Sequence, residues 1–225
     1  YFNMPKVLEL TLHNGIDPKT GKKIGLSTRD PSSFSTFDEF FKAYEKQLHH
    51  FLDIKIEANK EIQKLYAEHL PSPFLSLLID DCIENATDYN AGGARYDTAY
   101  IQGVGLGTMA DAMTSIKFNV FDRKHFALSD LVEALDDNFQ GHEDVLARIS
   151  DRTPKYGNDN DYPDELMQRT FDAFFEGVDG RPNGRGGTHR VNLLPTTVHI
   201  YFGEKCGALP DGRRAGHGQA PAPLR

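Results

Sequence analysis

Apolar residues recur at helical spacing over most of the chain, and in two stretches they do not. Phe37, Phe40, Phe41, Tyr44, Leu48, Phe51 and Leu52 follow three- and four-residue spacing, which predicts a long amphipathic helix facing a core. Thr36 and Glu39 form a capping-box pattern before it, and Pro71 and Pro73 end it near Leu70. Val7, Leu8, Leu10 and Leu12 predict an earlier helix, with Asn3 as cap, Pro5 in the first turn and Gly15 as its stop. Further helices are predicted from Phe74 to Asn85, Thr108 to Phe121, Ser129 to Phe139 with Ser129 as cap, Glu143 to Ile149, and from Pro163 to about Phe175.

The two exceptions read as strands. Gly92 to Gly107 holds five glycines around a Tyr-rich run, the pattern of a strand entering a barrel with tight turns on either side. Leu193 to Gly203 carries Thr196, Thr197, Val198, His199, Ile200, Tyr201 and Phe202, mostly β-branched or aromatic, as a buried strand requires. Between them Gly177, Gly180, Gly184, Gly186 and Gly187 read as a flexible loop. Strands separated by helices give an α/β layer architecture.

Composition narrows the class. The 225 residues are 39% hydrophobic and carry a net charge of −8, from 25 basic and 33 acidic side chains. That excludes a general nucleic-acid binder, which needs clustered cations for phosphates. No apolar run approaches the roughly 20 residues of a membrane span. Two cysteines make no disulfide framework, and a reducing cytoplasm is the expectation.

Several motifs carry chemistry only superficially. Gly103, Gly105 and Gly107 precede a helix, yet a dinucleotide fingerprint needs two residues between its second and third glycines and here there is one. Asn158, Asp159, Asn160 and Asp161 suggest a calcium loop, but the closing Glu would fall at Thr170. A polar turn before the Pro163 helix is the better reading. His49 and His50 are adjacent and point to different faces, so they form no helical metal pair. Lys19, Lys22 and Lys23 read as a solvated basic loop. Cys82 lies in a helical run and Cys206 after a strand, and neither has the exposed loop and partner base of a reactive thiol.

Four stretches together carry a resemblance: Tyr1 to Lys6 (YFNMPK), Gly92 to Gly107, Leu193 to Gly203, and Ala208 to Arg214 (ALPDGRR). With them the chain resembles the glycyl radical enzymes of the pyruvate formate-lyase superfamily. Gln47 to Asn59 and Pro154 to Asp161 resemble the branch acting on hydroxyproline. The resemblance covers residues 1–216, which it makes part of a ten-stranded barrel of two antiparallel half-barrels wrapped in helices. The Pro/Ala-rich residues 217–225 fall outside it, and are expected to be disordered or the product of a truncated reading.

What the resemblance implies is a carbon–oxygen lyase that dehydrates a small hydroxylated substrate, trans-4-hydroxy-L-proline first. A cysteine thiyl would take a hydrogen atom, and a neighbouring glutamate would act as acid and base. The family keeps that pair in a Gly-Cys-x-Glu loop and its radical glycine in an Arg-Val-x-Gly-Tyr run, neither of which occurs in this sequence. By resemblance Tyr1 and Thr196 face the substrate from opposite walls. By themselves they read as a chain terminus and a β-propensity choice. The resemblance further implies an activating partner with an iron–sulfur cluster and S-adenosylmethionine, and a homodimeric parent. It assigns no cofactor or metal to these residues. Glycerol or propanediol dehydration, carbon–sulfur or carbon–carbon cleavage, and a non-catalytic helical interaction domain remain as alternatives.

Overall fold

A computed structural model of the chain describes residues 1–194 and 197–217. Pro195, Thr196 and residues 218–225 lie outside the described residues, and with them most of the expected tail. In chain order the elements are β1 (Phe2–Asn3), α1 (Met4–Leu12), α2 (Phe37–His69), α3 (Pro73–Ser76), β2 (Thr98–Val104), α4 (Leu106–Ile116), α5 (Leu128–Asp136), α6 (Glu143–Asp151), α7 (Asp161–Val178), β3 (Thr188–Leu193) and α8 (Val198–Lys205). The strands form one small sheet in the order β1-β2-β3, with β1 parallel to β2 through Phe2↔Gly103 and Asn3↔Val104. The fold is a mixed, mainly helical α/β arrangement.

The chain divides into two compact units. The first comprises residues 1–50, 103–174 and 193–225. Its centre is α1, on which Met4, Val7, Leu8, Leu10 and Leu12 are all buried. Glu9 and Thr11 on the same helix are buried as well, so α1 is enclosed on nearly every side, as a helix inside a core is. Asn3 Oδ1 accepts from Lys6 N–H at 3.3 Å, and Pro5 occupies the first turn. The first part of α2 adds Phe40, Phe41, Tyr44 and Leu48, and α4 adds Met109, Ala110, Met113 and Ile116. Glu39 N–H donates to Thr36 Oγ1, while the Glu39 carboxylate returns to Ser35 N–H rather than to Thr36, a box displaced by one residue. His49 is satisfied by the Ala173 carbonyl, 2.9 Å from Nε2. Gly105, at φ +90°, turns the chain from β2 directly into α4. This left-handed turn needs glycine.

Some boundaries differ from the sequence pattern. α4 continues as a π-helical segment over Lys117–Asp122. α5 starts at Leu128, and Ser129 is not its cap; Asp130 Oδ2 accepts from Ala127 N–H at 3.0 Å instead. It stops early because Asn138 and Phe139 adopt φ of 51° and 61°. Asn160 Oδ1 accepts from Tyr162 N–H at the start of α7, as a polar turn should.

The second unit comprises residues 51–102 and 175–192. The helix expected over Phe74–Asn85 is reduced to the four residues of α3. Asp88 Oδ2 takes Ser72 N–H and Ser76 Oγ–H, at 2.9 and 2.7 Å. Asp81, at φ 74°, holds Arg95 through two oxygens. Side chains that capture nearby backbone groups compete with helix formation. Asn183 Oδ1 accepts from Arg185 and Gly187 N–H, and Arg185 pairs with the half-buried Asp97 at 2.6 Å. The glycine-rich run is therefore a built turn leading into β3, not a flexible loop.

Candidate functional site

The expected strand over Thr196–Phe202 is not formed: Val198–Lys205 is helix α8. Its β-branched and aromatic residues are poor helix formers by a few tenths of a kcal/mol each. Ile200 and Tyr201 are 60% and 54% exposed, so no sheet surface recruits them. β-propensity expresses packing in a sheet, and that packing is absent here.

What holds α8 is its carboxyl end. The last four carbonyls of a helix lack partners within it. In α8 each one is taken by a side chain. Asn3 Nδ2 donates to Phe202 O at 3.4 Å, and Arg213 to Gly203 O at 3.4 Å. Lys19 Nζ donates to Glu204 O at 2.6 Å, and Lys6 Nζ to Lys205 O at 3.0 Å. Three of the four donors are cations, which the negative end of a helix dipole favours. Lys19 is thus tethered, which corrects its reading as part of a solvated loop.

Lys6 is the hub. Besides Lys205 O it contacts Asp17 Oδ1 at 2.6 Å and Glu9 Oε2, so the three ammonium protons face three acceptors. Burial disfavours the charged ammonium, yet Glu9 and Asp17 outweigh it and hold Lys6 above its ordinary value. Asp17 is held below its ordinary value: Lys6 and Thr20 outweigh the effect of burial. Glu9, 1% exposed, also accepts from Gly207 N–H at 2.6 Å. A Cβ on residue 207 would stand 2.9 Å from that same Glu9 oxygen. Arg213 further binds the carbonyls of Gly207 and, at 2.6 Å, His217, folding the Pro210–Arg214 turn back onto this cluster.

Tyr1 stands immediately before β1 and is 60% exposed. Thr196 lies outside the described residues; its neighbour Thr197 is the first residue before α8. Asn3, two residues after Tyr1, donates to Phe202 O of α8. The sequence reading missed Asn3, Lys6 and Glu9 as a clasp, because their partners lie about 200 positions away.

The thiols are poor nucleophiles in this setting. Cys206 is 2% exposed, and burial with Glu9 nearby pushes its pKa up to about 11. Burial, with Asp88 and Asp81, also raises Cys82. Elsewhere in the first unit, Glu133, Asp137 and His142 bring one ligand atom each within 4.8 Å of one another. The carboxylates are exposed and His142 Nε2 already lies 3.1 Å from Asp137 Oδ2, an ordinary surface pair. A cavity of about 240 Å³ beside Glu9, His13, Lys19, Asp136 and Cys206 adjoins the clasp. Among the described residues no helix is long and apolar enough to cross a membrane.

Residues 1–203 match the family described as pyruvate formate lyase-like. The chain is 55% identical over 213 residues to trans-4-hydroxy-L-proline dehydratase of Clostridioides difficile, covering 95% of this chain and 27% of that protein. It superposes with a TM-score of 0.95, at 53% identity, on the crystal structure of the C. difficile hydroxyproline dehydratase with trans-4-hydroxy-L-proline bound, covering 96% of this chain and 28% of that one. On the glycerol-bound, B12-independent glycerol dehydratase of Clostridium butyricum the TM-score is 0.93, at 35% identity, with coverage of 97% and 28%. The chain therefore spans about a quarter of the length of these relatives, and it belongs to the pyruvate formate lyase-like family.

Proposed function

We propose that this chain is part of a glycyl radical hydro-lyase whose substrate is trans-4-hydroxy-L-proline. The observation that carries this reading is 55% identity across 95% of the chain to a hydroxyproline dehydratase. The glycerol dehydratase is similar in fold but stands at 35%, so glycerol or a related diol is the second reading.

Residues 1–216 would contribute wall and wrapping helices to one ten-stranded barrel, in a cytoplasmic homodimer. A protein glycyl radical, installed by an activating enzyme with an iron–sulfur cluster and S-adenosylmethionine, supplies the hydrogen-abstracting chemistry when present. The thiyl cysteine, the glutamate and the radical glycine are assigned outside this sequence. The residues here bind and orient. The phenol of Tyr1 and the hydroxyl of Thr196 would each hold a polar group of the substrate, and the apolar core around α1 excludes bulk water from their supports. The two buried thiols take no part.

The test uses the full-length enzyme containing this segment. With its activating enzyme, S-adenosylmethionine and reductant under anaerobic conditions, it should convert hydroxyproline to a pyrroline carboxylate. Radical formation without hydroxyproline turnover, but with loss of water from glycerol or propanediol, would replace the first reading by the second.

A further inference from the structure

The pairing of β1 with β2 decides which way Tyr1 is turned. Successive residues of an extended segment face opposite sides. Phe2 is turned into the core at 8% exposure, so Tyr1, 60% exposed, is turned to the other side. A slip of one residue in the register Phe2↔Gly103 would exchange the two. β1 is two residues long, and so short a ladder holds a register weakly unless a buried side chain specifies it. That side chain is Phe2. Its ring lies against Phe174 of α7, with centroids 5.8 Å apart and planes at 38°. Phe174 is fully buried, and its helix is held one residue earlier, where the Ala173 carbonyl lies 2.9 Å from His49 Nε2.

The same ring covers Gly103, the partner of Phe2. A Cβ at 103 would stand 2.8 and 3.0 Å from Cε1 and Cζ of Phe174, and 3.1 Å from Cδ2 of Leu193. Gly103 lies in β2 and outside the left-handed region, so its position demands space and not conformational freedom. Carbon atoms pack best at about 3.5–4.0 Å, so a methyl at 103 would drive the Phe174 ring back by roughly 1 Å. Phe2 rests on that ring.

We propose that Gly103 and Phe174 are positioning residues for Tyr1. They form the seat of Phe2, and Phe2 sets the register and height of β1, from which the Tyr1 phenol projects. They act through Phe2 and not on the substrate. The inference rests on the reading of Tyr1 as a substrate-holding residue. Displacing such a group by on the order of 1 Å costs up to about a hundredfold in rate.

The test uses the full-length enzyme. In crystal structures with and without Gly103→Ala, the Cα of Tyr1 should differ by about 0.5–1 Å, or β1 should change register. An unmoved β1 overturns the proposal whatever the kinetics. In the activated enzyme, at equal radical content, kcat/KM for hydroxyproline should fall about tenfold in Gly103→Ala and about tenfold in Tyr1→Phe. Combining them should cost no more than about twofold beyond either alone, because a displaced phenol and a missing one forfeit the same bond. A loss of stability alone would not produce that pattern. Losses that multiply, or a Gly103→Ala enzyme within about twofold of the unsubstituted one while Tyr1→Phe is impaired, would show that the seat does not act through Tyr1 and overturn the proposal. Adding Phe174→Leu to Gly103→Ala makes room for the methyl and should restore kcat/KM to within about threefold; no recovery would count equally against it. If Gly103→Ala did not fold, Phe174→Leu alone, which loosens the seat instead of crowding it, supplies the same comparison with Tyr1→Phe. A harmless Tyr1→Phe beside a displaced β1 would count against the assignment of Tyr1 to the substrate and leave the seat standing. If the unsubstituted enzyme ignored hydroxyproline, that would count against the proposed function alone, and the kinetic arm would be read on the substrate it does accept.

Discussion

Replacing Asn3 tests the clasp most economically, because one amide serves two helices. Its oxygen caps the amino end of α1 and its nitrogen caps the carboxyl end of α8. Asn3→Ala removes both. Loss of an N-cap costs typically about 1 kcal/mol, and loss of a neutral hydrogen bond to a carbonyl about 0.5–1.5 kcal/mol. The sum is about 1.5–2.5 kcal/mol, or roughly 3–10 °C in the thermal midpoint of a chain of this size. Asn3→Asp separates the two roles. A carboxylate is as good an N-cap as the amide and gains about 0.3–1 kcal/mol from the positive end of the α1 dipole. It cannot donate to Phe202 O, and it sets a negative charge against the negative end of α8. If Asn3 worked only as an N-cap, the aspartate would match or exceed the parent. With both roles in force it should lose about 1 kcal/mol or more. Chemical denaturation of the two variants and the parent, followed by circular dichroism at several protein concentrations, measures this. An Asn3→Asp chain as stable as the parent would refute the bridging role.

The remaining expectations concern pH, the pocket, the thiols and the isolated chain. Burial raises the pKa of Asp211 from 3.8 to about 6 against the opposing effects of Arg213 N–H, Lys155 and the Arg213 charge, with Asp111 adding to the rise. The folded chain therefore binds more protons than the unfolded one, and this group's contribution falls as pH rises from about 4 to about 6, by on the order of 3 kcal/mol. Asp211→Asn should remove that slope in denaturation midpoints measured between those limits, and an unchanged slope would count against it. In the full-length enzyme Tyr1→Phe and Thr196→Val should each lower kcat/KM, by about two- to tenfold for a neutral partner and about ten- to a hundredfold for a carboxylate. Cys82→Ala and Cys206→Ser should stay within about twofold, and the reverse pattern would mean the pocket was assigned to the wrong residues. Both thiols should resist iodoacetamide in the folded chain and react on unfolding, as followed by mass. The 225-residue chain alone should show no glycyl radical doublet in electron paramagnetic resonance and no turnover; either signal would overturn the division of labour proposed above.

Local chemistry was legible in the sequence, and distant chemistry was not. Asn3, Pro5 and Gly15 mark α1 because caps and stops act within a few residues. The stripe from Phe37 to Leu52 shows α2 because a buried face repeats every turn. The strand within Gly92–Gly107 followed from its glycines, and β2 with Gly105 occupies that place. Phe74–Asn85 misled because its apolar spacing is helical, while Asp88 and Arg95, beyond the window, draw the backbone into turns. β3 was hidden behind the glycines that precede it. α8 was misread because its side chains favour a strand, while residues 3, 6, 19 and 213 decide in favour of the helix. Of the site, the resemblance supplied Tyr1 and Thr196 as expectations, and nothing in the local pattern pointed to Lys6 as the hub joining Glu9, Asp17 and the end of α8.

The Asn3 and Lys6 bonds to α8 each close a loop of 199 positions, and Glu9 to Gly207 one of 198. Closing about 200 residues rather than about 20 costs roughly 2 kcal/mol more entropy, and contacts of such separation form slowly. A ribosome adding about 5–20 residues per second needs roughly 10–40 s to make the chain between them. Through that interval α1, with its apolar residues and the charged Lys6 and Glu9, has been made while the distant partners of Asn3, Lys6 and Glu9 have not. The helix at the centre of the first unit is therefore the earliest part of this segment to be synthesised and among the last to be secured, and that waiting period is when a chaperone or a protease would meet it.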